Sequence, residues 1–363
     1  MLAFGLEPIL TTSLEYLFAH ARNLLLGQLL RPLQQVLLVP TSRFISHFGH
    51  FVIHFVIRSS GTKFQLLNTS IHLNEKGDQM RIARLGEFNK EKPAVVLNDT
   101  EAVFVDDVIA DWNRVELENG ALEKVKKLDL TSRPKVKISD YRLGSPVARP
   151  TKAICIGLNY KQHALETGAT PPVEPIIFMK APDTVIGGND DVIIPPNSVK
   201  TDYEVEICVV VKKRALYLKS PEEAADYILG YTVSQDVSER YWQVERSGQW
   251  VKGKSFPTFN PVGPWIVTTD ELKNPQNLRL WCTVDGESRQ DSNTSDMIFD
   301  INYCVWYLSQ VMELHAGDII NSGTPQGVGM GFKPEKYLKG GEVVKTGIEG
   351  IGSITNHFKN YKA

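Results

Sequence analysis

The chain has 363 residues, 42% of them apolar, with 40 Lys or Arg against 42 Asp or Glu and a net charge of −2. That length suits roughly two domains of about 150 residues, and the near-neutral balance argues against a nucleic-acid partner held by a strong overall positive field. The four cysteines, Cys155, Cys208, Cys282 and Cys304, show no C-x-x-C spacing, which argues against a zinc site or disulfide framework and fits a reducing compartment. No apolar run reaches the ~18 residues of a spanning helix, so no membrane partner is expected.

Residues 1–79 differ from the rest. Between Tyr16 and Asn74 there is no Asp or Glu, while Arg22, Arg31, Arg43, Arg58 and Lys63 are present. This is either an N-terminal targeting segment or the product of a start assigned too early, with Met80 the true initiator. The second reading is preferred, because Met80–Leu85 begins a plausible first strand; neither gives the segment a part in the chemistry. A cytoplasmic location follows, or a mitochondrial one if residues 1–79 are a presequence. His47, His50 and His54 share a helix face in spacing. Their Phe- and Ile-rich surroundings offer no carboxylate or thiolate, so they are read as structural.

Residues 80–148 carry strand-like runs at Ala94–Leu97 and Ala102–Val105, a helix, and a polar stretch from Ser132 to Ser145. They read as a small N-terminal domain and linker. Residues 149–363 are rich in strands and turns, beginning with the apolar strand Lys152–Gly157. Val192–Ile194 is a strand closed by Pro195 and Pro196. Ser220, Pro221 and Glu223 form a helix start, and Gly230 is the expected stop. Asn302–Glu313 has helical apolar spacing. Gly327–Gly331 lacks the context of a dinucleotide loop and is expected to be a flexible loop.

The most informative segment is Thr201–Val211. Read as a strand, it points Glu204 and Glu206 the same way. The alternative is a solvated edge strand, but the apolar run Cys208–Val211 carries the strand into a core. Two partly buried carboxylates then need a cation, and hard oxygen ligands favour Mg²⁺, Mn²⁺ or Ca²⁺ over Zn²⁺. Asp236, at the end of the strand Tyr231–Val237, is a third candidate ligand or a helix N-cap. His163 and Glu166 are three apart on a helical turn after Gly157, the spacing of an imidazole whose basicity and tautomer a carboxylate sets. Lys254 lies among Gly, Pro and aromatic residues, which suggests a fixed backbone path; the alternative is a surface lysine in a loop. Ser322–Gly329 is a turn able to offer N–H groups and a hydroxyl to an anion.

In chain order, these blocks resemble the fumarylacetoacetate hydrolase superfamily. They are Gly157-x-Asn159-Tyr160-x-x-His163-x-x-Glu166, Asp202-x-Glu204-x-Glu206, Gly230-Tyr231 with Asp236-Val237-Ser238-x-Arg240, Gly253-Lys254-Ser255-Phe256, and Gly317-Asp318-x-Ile320-x-x-Gly323-Thr324-Pro325. Two positions depart from the usual pattern: Leu158 stands where an Arg is often found, and Pro257 where an Asp often follows Lys-Ser-Phe. The blocks Gln243–Trp250 and Asn260–Trp265 look like the bacterial branch acting on 2,4-dioxo acids; related branches are oxaloacetate tautomerases, acylpyruvate hydrolases and decarboxylases.

The resemblance implies a strand-rich α+β fold, a mixed β-roll or sandwich, usually in a homodimer. It implies Glu204, Glu206 and Asp236 as ligands of Mg²⁺ (or Mn²⁺) that chelates a keto acid and stabilises an enolate. It also implies Lys254 as added positive charge, His163 with Glu166 as the water-activating or proton-moving pair, and Gln243, Gly323 and Thr324 as substrate contacts. The expected activity is hydrolysis of a C–C bond in a 2,4-dioxo acid, with oxaloacetate tautomerisation or decarboxylation as the alternative.

Overall fold

The strand-like runs become the strands of two large sheets and of a two-stranded ribbon, β11 (Thr201–Asp202) with β14 (Ser238–Glu239). The computed structural model describes residues 80–362 and, ahead of them, a hairpin of β1 (Phe55–Ile57) with β2 (Gln65–Leu67), paired antiparallel. The other expectations for residues 1–79, including the choice of start and the cluster His47, His50, His54, lie outside the described residues. No described helix is long and apolar enough to cross a membrane.

The large sheet runs, edge to edge, through β6 (Lys135–Lys137), β5 (Glu101–Phe104), β4 (Lys92–Val96), β3 (Arg81–Leu85), β15 (Asn260–Thr268), β13 (Ile228–Gln235), β12 (Val205–Val211), β18 (Ile319–Asn321), β7 (Ala153–Gly157) and β8 (Ile176–Lys180). β9 (Val185–Gly187) lies parallel to β15. A second sheet has the order β10 (Val192–Ile194), β20 (Gly352–Asn360), β19 (Val343–Ile348), β16 (Arg279–Val284), β17 (Glu287–Asn293). β18 runs parallel to β7 and β10 to β20, so both sheets are mixed, as the strand-rich α+β expectation requires.

β12 shows why the sheet is buried on both faces. Val205, Ile207 and Val209 join a core with Leu280, Val344 and Ile354 of the second sheet. Cys208 and Val210 point the other way, into a core with Ile82, Trp112, Leu117 and Val125. The last two residues come from the short helices α1 (Arg114–Glu118) and α2 (Ala121–Lys126). Because Ile82 of β3 pairs with Ile266 of β15, residues 80–148 do not stand apart as the small domain expected of them. They extend the sheet of residues 149–363 within one compact unit, Gly77–Ala363.

Two helices behave differently at their ends. The helix beginning at Pro221 stops early: α4 (Pro221–Ala224) passes through a 3-10 turn at Ala225–Tyr227 into β13. Gly230 is therefore inside a strand, where an added Cβ would meet Val267 O at 2.3 Å. It is needed for a close backbone approach rather than for a helix end. The helix around Asn302–Glu313 forms as α6 (Ile301–Val311), and its first turn is capped by Asp300, which accepts from Tyr303 N at 2.7 Å.

Candidate active site

Glu204 and Glu206 continue the Cys208–Val210 face of β12 to its N-terminal end, and Asp236 follows the last residue of the neighbouring β13. One ligand oxygen from each of the three lies within 4.8 Å of the others. Glu204 is 4% exposed, Glu206 3% and Asp236 0%, which rules out the solvated edge strand. Asp236 caps no helix; its carboxylate is held by two ammonium groups.

Those ammoniums are Lys254 and Lys180. Lys254 Nζ donates to Glu204 Oε2 at 2.6 Å and Asp236 Oδ2 at 2.9 Å. Lys180 Nζ donates to Asp236 Oδ1 and, at 2.9 Å, to Val237 O. Arg240 closes the far side, with Nη2 on Glu204 Oε1 at 2.6 Å, Nε on Asp202 Oδ2 at 2.8 Å and Nη1 on Gln243 Oε1 at 2.9 Å. The network thus buries four carboxylates, Asp202, Glu204, Glu206 and Asp236, against three cations, Lys180, Lys254 and Arg240.

The imbalance falls on Glu206. Its only hydrogen bond among the described residues comes from Gly323 N at 2.7 Å. Burial, then repulsion from Asp236 and Glu204, pushes its carboxyl well above the ordinary range. Burial acts on Glu204 in the same sense, but Lys254 and Arg240 outweigh it and hold that carboxyl at about 2. Burial lowers the Lys180 ammonium, against the pull of Asp236. Four carboxylates against three cations leave one negative charge, so a divalent cation at the triad would give the site one positive charge, which a bound anion would neutralise. The donor set, three carboxylates without thiolate or imidazole, suits a hard ion.

The same wall presents the second pair of groups. His163 and Glu166 lie on α3 (Lys161–Glu166), which follows β7, and His163 Nδ1 is 2.8 Å from Glu166 Oε1. Glu166 Oε2 accepts from Gly327 N at 2.9 Å. His163, Glu204, Glu206, Gln243, Lys254 and Thr324 all line one cavity of about 210 Å³. The sequence-read groups therefore meet, although 161 residues separate Glu166 from Gly327.

Two of the expected substrate contacts are already engaged. Gly323 spends its N–H on Glu206. Thr324 Oγ1 donates to Val205 O at 2.9 Å and accepts from Gln290 Nε2 at 2.8 Å. The loop expected to be flexible, Gly327–Gly331, is tied down: Gly327 N donates to Glu166, and Gly329 N to Asp202 Oδ1 at 2.6 Å. Glycine composition promised mobility, but distant carboxylates take up the loop's amides.

Comparison with known proteins is decisive here. The family model described as fumarylacetoacetate (FAA) hydrolase C-terminal matches residues 152–359. The chain belongs to the fumarylacetoacetate hydrolase family. A relative in Burkholderia multivorans with a provisional hydrolase name is 45% identical over 276 residues, 75% of this chain and 96% of its own length. The crystal structure of fumarylacetoacetate hydrolase from Exiguobacterium antarcticum is 32% identical, covering 78% of this chain and 100% of that one, with a TM-score of 0.69. That of 2-hydroxyhepta-2,4-diene-1,7-dioate isomerase from Mycobacterium marinum has the same coverage, 31% identity and a TM-score of 0.63.

Several groups of this family member's site had no role assigned from sequence. Lys180 ends β8 and looks there like a solvated strand terminus, yet it is 1% exposed. Its strand mate two residues back, Phe178, lies 5.3 Å from Trp250 in an edge-on ring pair and under the Lys254 ammonium at 5.1 Å. That shared face was the available signal. Arg240 and Asp202 stood within the quoted blocks without a function; they brace Glu204 and the 327–331 loop.

Gly253 positions Lys254. It lies on α5 (Val251–Lys254), where an added Cβ would meet Gln243 N and Glu239 O, both at 2.5 Å. Since those are backbone atoms, Gly253→Ala should push α5 away and misplace the Lys254 ammonium. We expect at least about a tenfold loss of kcat with folding retained, checked by steady-state kinetics beside thermal unfolding. Wild-type kcat would show that α5 tolerates the shift.

Proposed function

We propose that this enzyme hydrolyses a carbon–carbon bond of a 2,4-dioxo acid with a divalent cation, Mg²⁺ or Mn²⁺, at Glu204, Glu206 and Asp236. The observation that carries this reading is the buried triad Glu204, Glu206 and Asp236, in which Glu206 has no cationic hydrogen-bond partner among the described residues and, with Glu204, lines the same cavity as His163. The bound cation would supply Lewis acidity at the carboxylate and 2-oxo end of the substrate.

The chain's own groups supply the rest. Glu166 holds His163 by Nδ1, leaving Nε2 to take a proton from water as it adds to the C4 carbonyl. When the C3–C4 bond breaks, the electron pair passes toward the 2-oxo oxygen, and the buried Lys254 ammonium adds positive charge near it. C3 then takes a proton, giving pyruvate and a carboxylic acid. Gln243 lines the cavity with its carbonyl engaged by Arg240, leaving its amide for substrate. Gly323 acts through Glu206, and Thr324 shapes the wall.

A second reading, keto–enol tautomerisation or decarboxylation of an acid such as oxaloacetate, uses the same groups without water at C4. The similarity to a protein named as an isomerase favours keeping it. The test is loss of enol absorbance across a panel of 2,4-dioxo acids and oxaloacetate, with Mg²⁺ or with chelator, using the full chain. Metal-dependent loss with stoichiometric pyruvate from a dioxo acid is expected. Loss of the oxaloacetate enol signal without pyruvate would establish the tautomerase instead, and activity in chelator would remove the metal.

A further inference from the structure

We infer that the cavity selects a 2-oxo acid whose far end is uncharged and apolar, and rejects one that ends in a second carboxylate. This rests on the proposed keto-acid reading only for the end that meets the carboxylate triad. Beyond the groups already engaged with the triad, the wall includes Ile156, Leu158, Val244, Trp250 and Met330, none of which offers a charged group. Histidine aside, the cations lining the cavity are Arg240 and Lys254, among the described residues. Both already serve the metal end: Arg240 is paired with Asp202 and Glu204, and Lys254 with Glu204 and Asp236. A distal carboxylate would lose water and gain no counter-charge, whereas an alkyl or aryl tail would gain burial.

The backbone points the same way. Leu158 has φ 52°, a left-handed conformation that a branched side chain rarely adopts. The residue follows Gly157, where an added Cβ would strike Trp250 Cζ3 at 2.4 Å. Gly157 thus lets the indole lie against the β7 turn, and the strained Leu158 presents an aliphatic side chain beside it. Such an outlier persists only where its surroundings hold it, and here they form the apolar wall.

The test uses two unreactive acids of equal length, 2-oxohexanoate and 2-oxohexanedioate, titrated calorimetrically into the full chain with Mn²⁺. The monoacid should bind at least about tenfold more tightly than the diacid. In Leu158→Arg, which keeps an unbranched Cβ at the same φ, the diacid should gain and the gap should close or reverse. Equal or tighter diacid binding by the wild type would overturn the inference, as would failure of both acids to bind. A preserved gap in Leu158→Arg would overturn Leu158's part in it. If the monoacid preference appears but no dioxo acid is turned over, the hydrolase reading fails while the selectivity stands.

Discussion

Glu206→Gln should weaken divalent-cation binding by at least about a hundredfold, since even outer-shell changes at metal sites cost 10–100-fold, while leaving the metal-free protein folded and no less stable. Glu206 is the triad carboxylate without a cationic neighbour in hydrogen-bond contact. Burial and its two acidic neighbours keep its proton on well above the ordinary range. A glutamine resembles that protonated form: its carbonyl can still accept from Gly323 N, and its NH₂ can donate toward Asp236 or Glu204. Glu204→Gln should also weaken the cation, but unlike Glu206→Gln it should destabilise the metal-free fold. It removes the charge paired with both Arg240 and Lys254, and breaking such a buried pair costs about 3–5 kcal/mol. Mn²⁺ titration should show the loss in both variants, and thermal unfolding in chelator separates them. The pH dependence has a definite sign. Glu206 binds its proton more tightly folded than unfolded, so metal-free wild-type stability should fall as pH rises past the ordinary carboxylate range. The cation must displace that proton, so its affinity should climb over the same interval. The Gln variant should lack both slopes, and unchanged Mn²⁺ affinity in it would remove Glu206 from the ligand set.

The parts of the site legible in the sequence are those fixed by local periodicity. Glu204 and Glu206 share a face because a strand repeats every two residues, and His163 meets Glu166 because a helical turn repeats every three to four. The helix at Ile301–Val311 was legible for the same reason; the start at Pro221 was legible from proline's fit to a first helical position, but the expected capping box does not form, since Ser220 makes no side-chain cap bond and Glu223 accepts from Lys219 N. What stayed hidden depends on residues far apart in the chain. Lys180 resembles any lysine at a strand end until Asp236, 56 residues later, is folded against it. Gly230 looks like a helix stop until Val267 approaches. The five residues Tyr241–Glu245 form a π-helical turn that carries Gln243 into the cavity, and nothing in their composition announces it. The linker-like composition of Ser132–Ser145 is real, but it does not mark a break, because β3 pairs with β15 across 80–148 and the rest. The family resemblance placed Asp202 and Arg240 in two separate blocks; only the structure shows that the Arg240 side chain bonds Asp202 and Glu204 together.

Glu166→Gln should lower kcat by about 10²–10⁴, the worth of a positioned general base, with Mn²⁺ affinity held near wild type. The reason is a count of acceptors. Glu166 uses both carboxylate oxygens: Oε1 faces His163 Nδ1, and Oε2 accepts from Gly327 N. Glutamine has one acceptor and an NH₂. If its carbonyl keeps Gly327, the NH₂ faces Nδ1, which must then accept, and the ring proton moves to Nε2. The imidazole is then the wrong tautomer to take a proton from water. If the carbonyl turns to His163 instead, the Gly327 amide loses its acceptor and the loop that also binds Asp202 through Gly329 is loosened. Either arrangement damages the reaction while the triad stays intact, since neither touches Glu204, Glu206 or Asp236. Comparing this variant with Glu206→Gln separates the proton-moving half of the site from the metal-holding half. Kinetics and Mn²⁺ titration on the two variants provide that comparison. Wild-type kcat in Glu166→Gln would show that His163 needs no carboxylate to orient it, and would assign Glu166 to the loop alone.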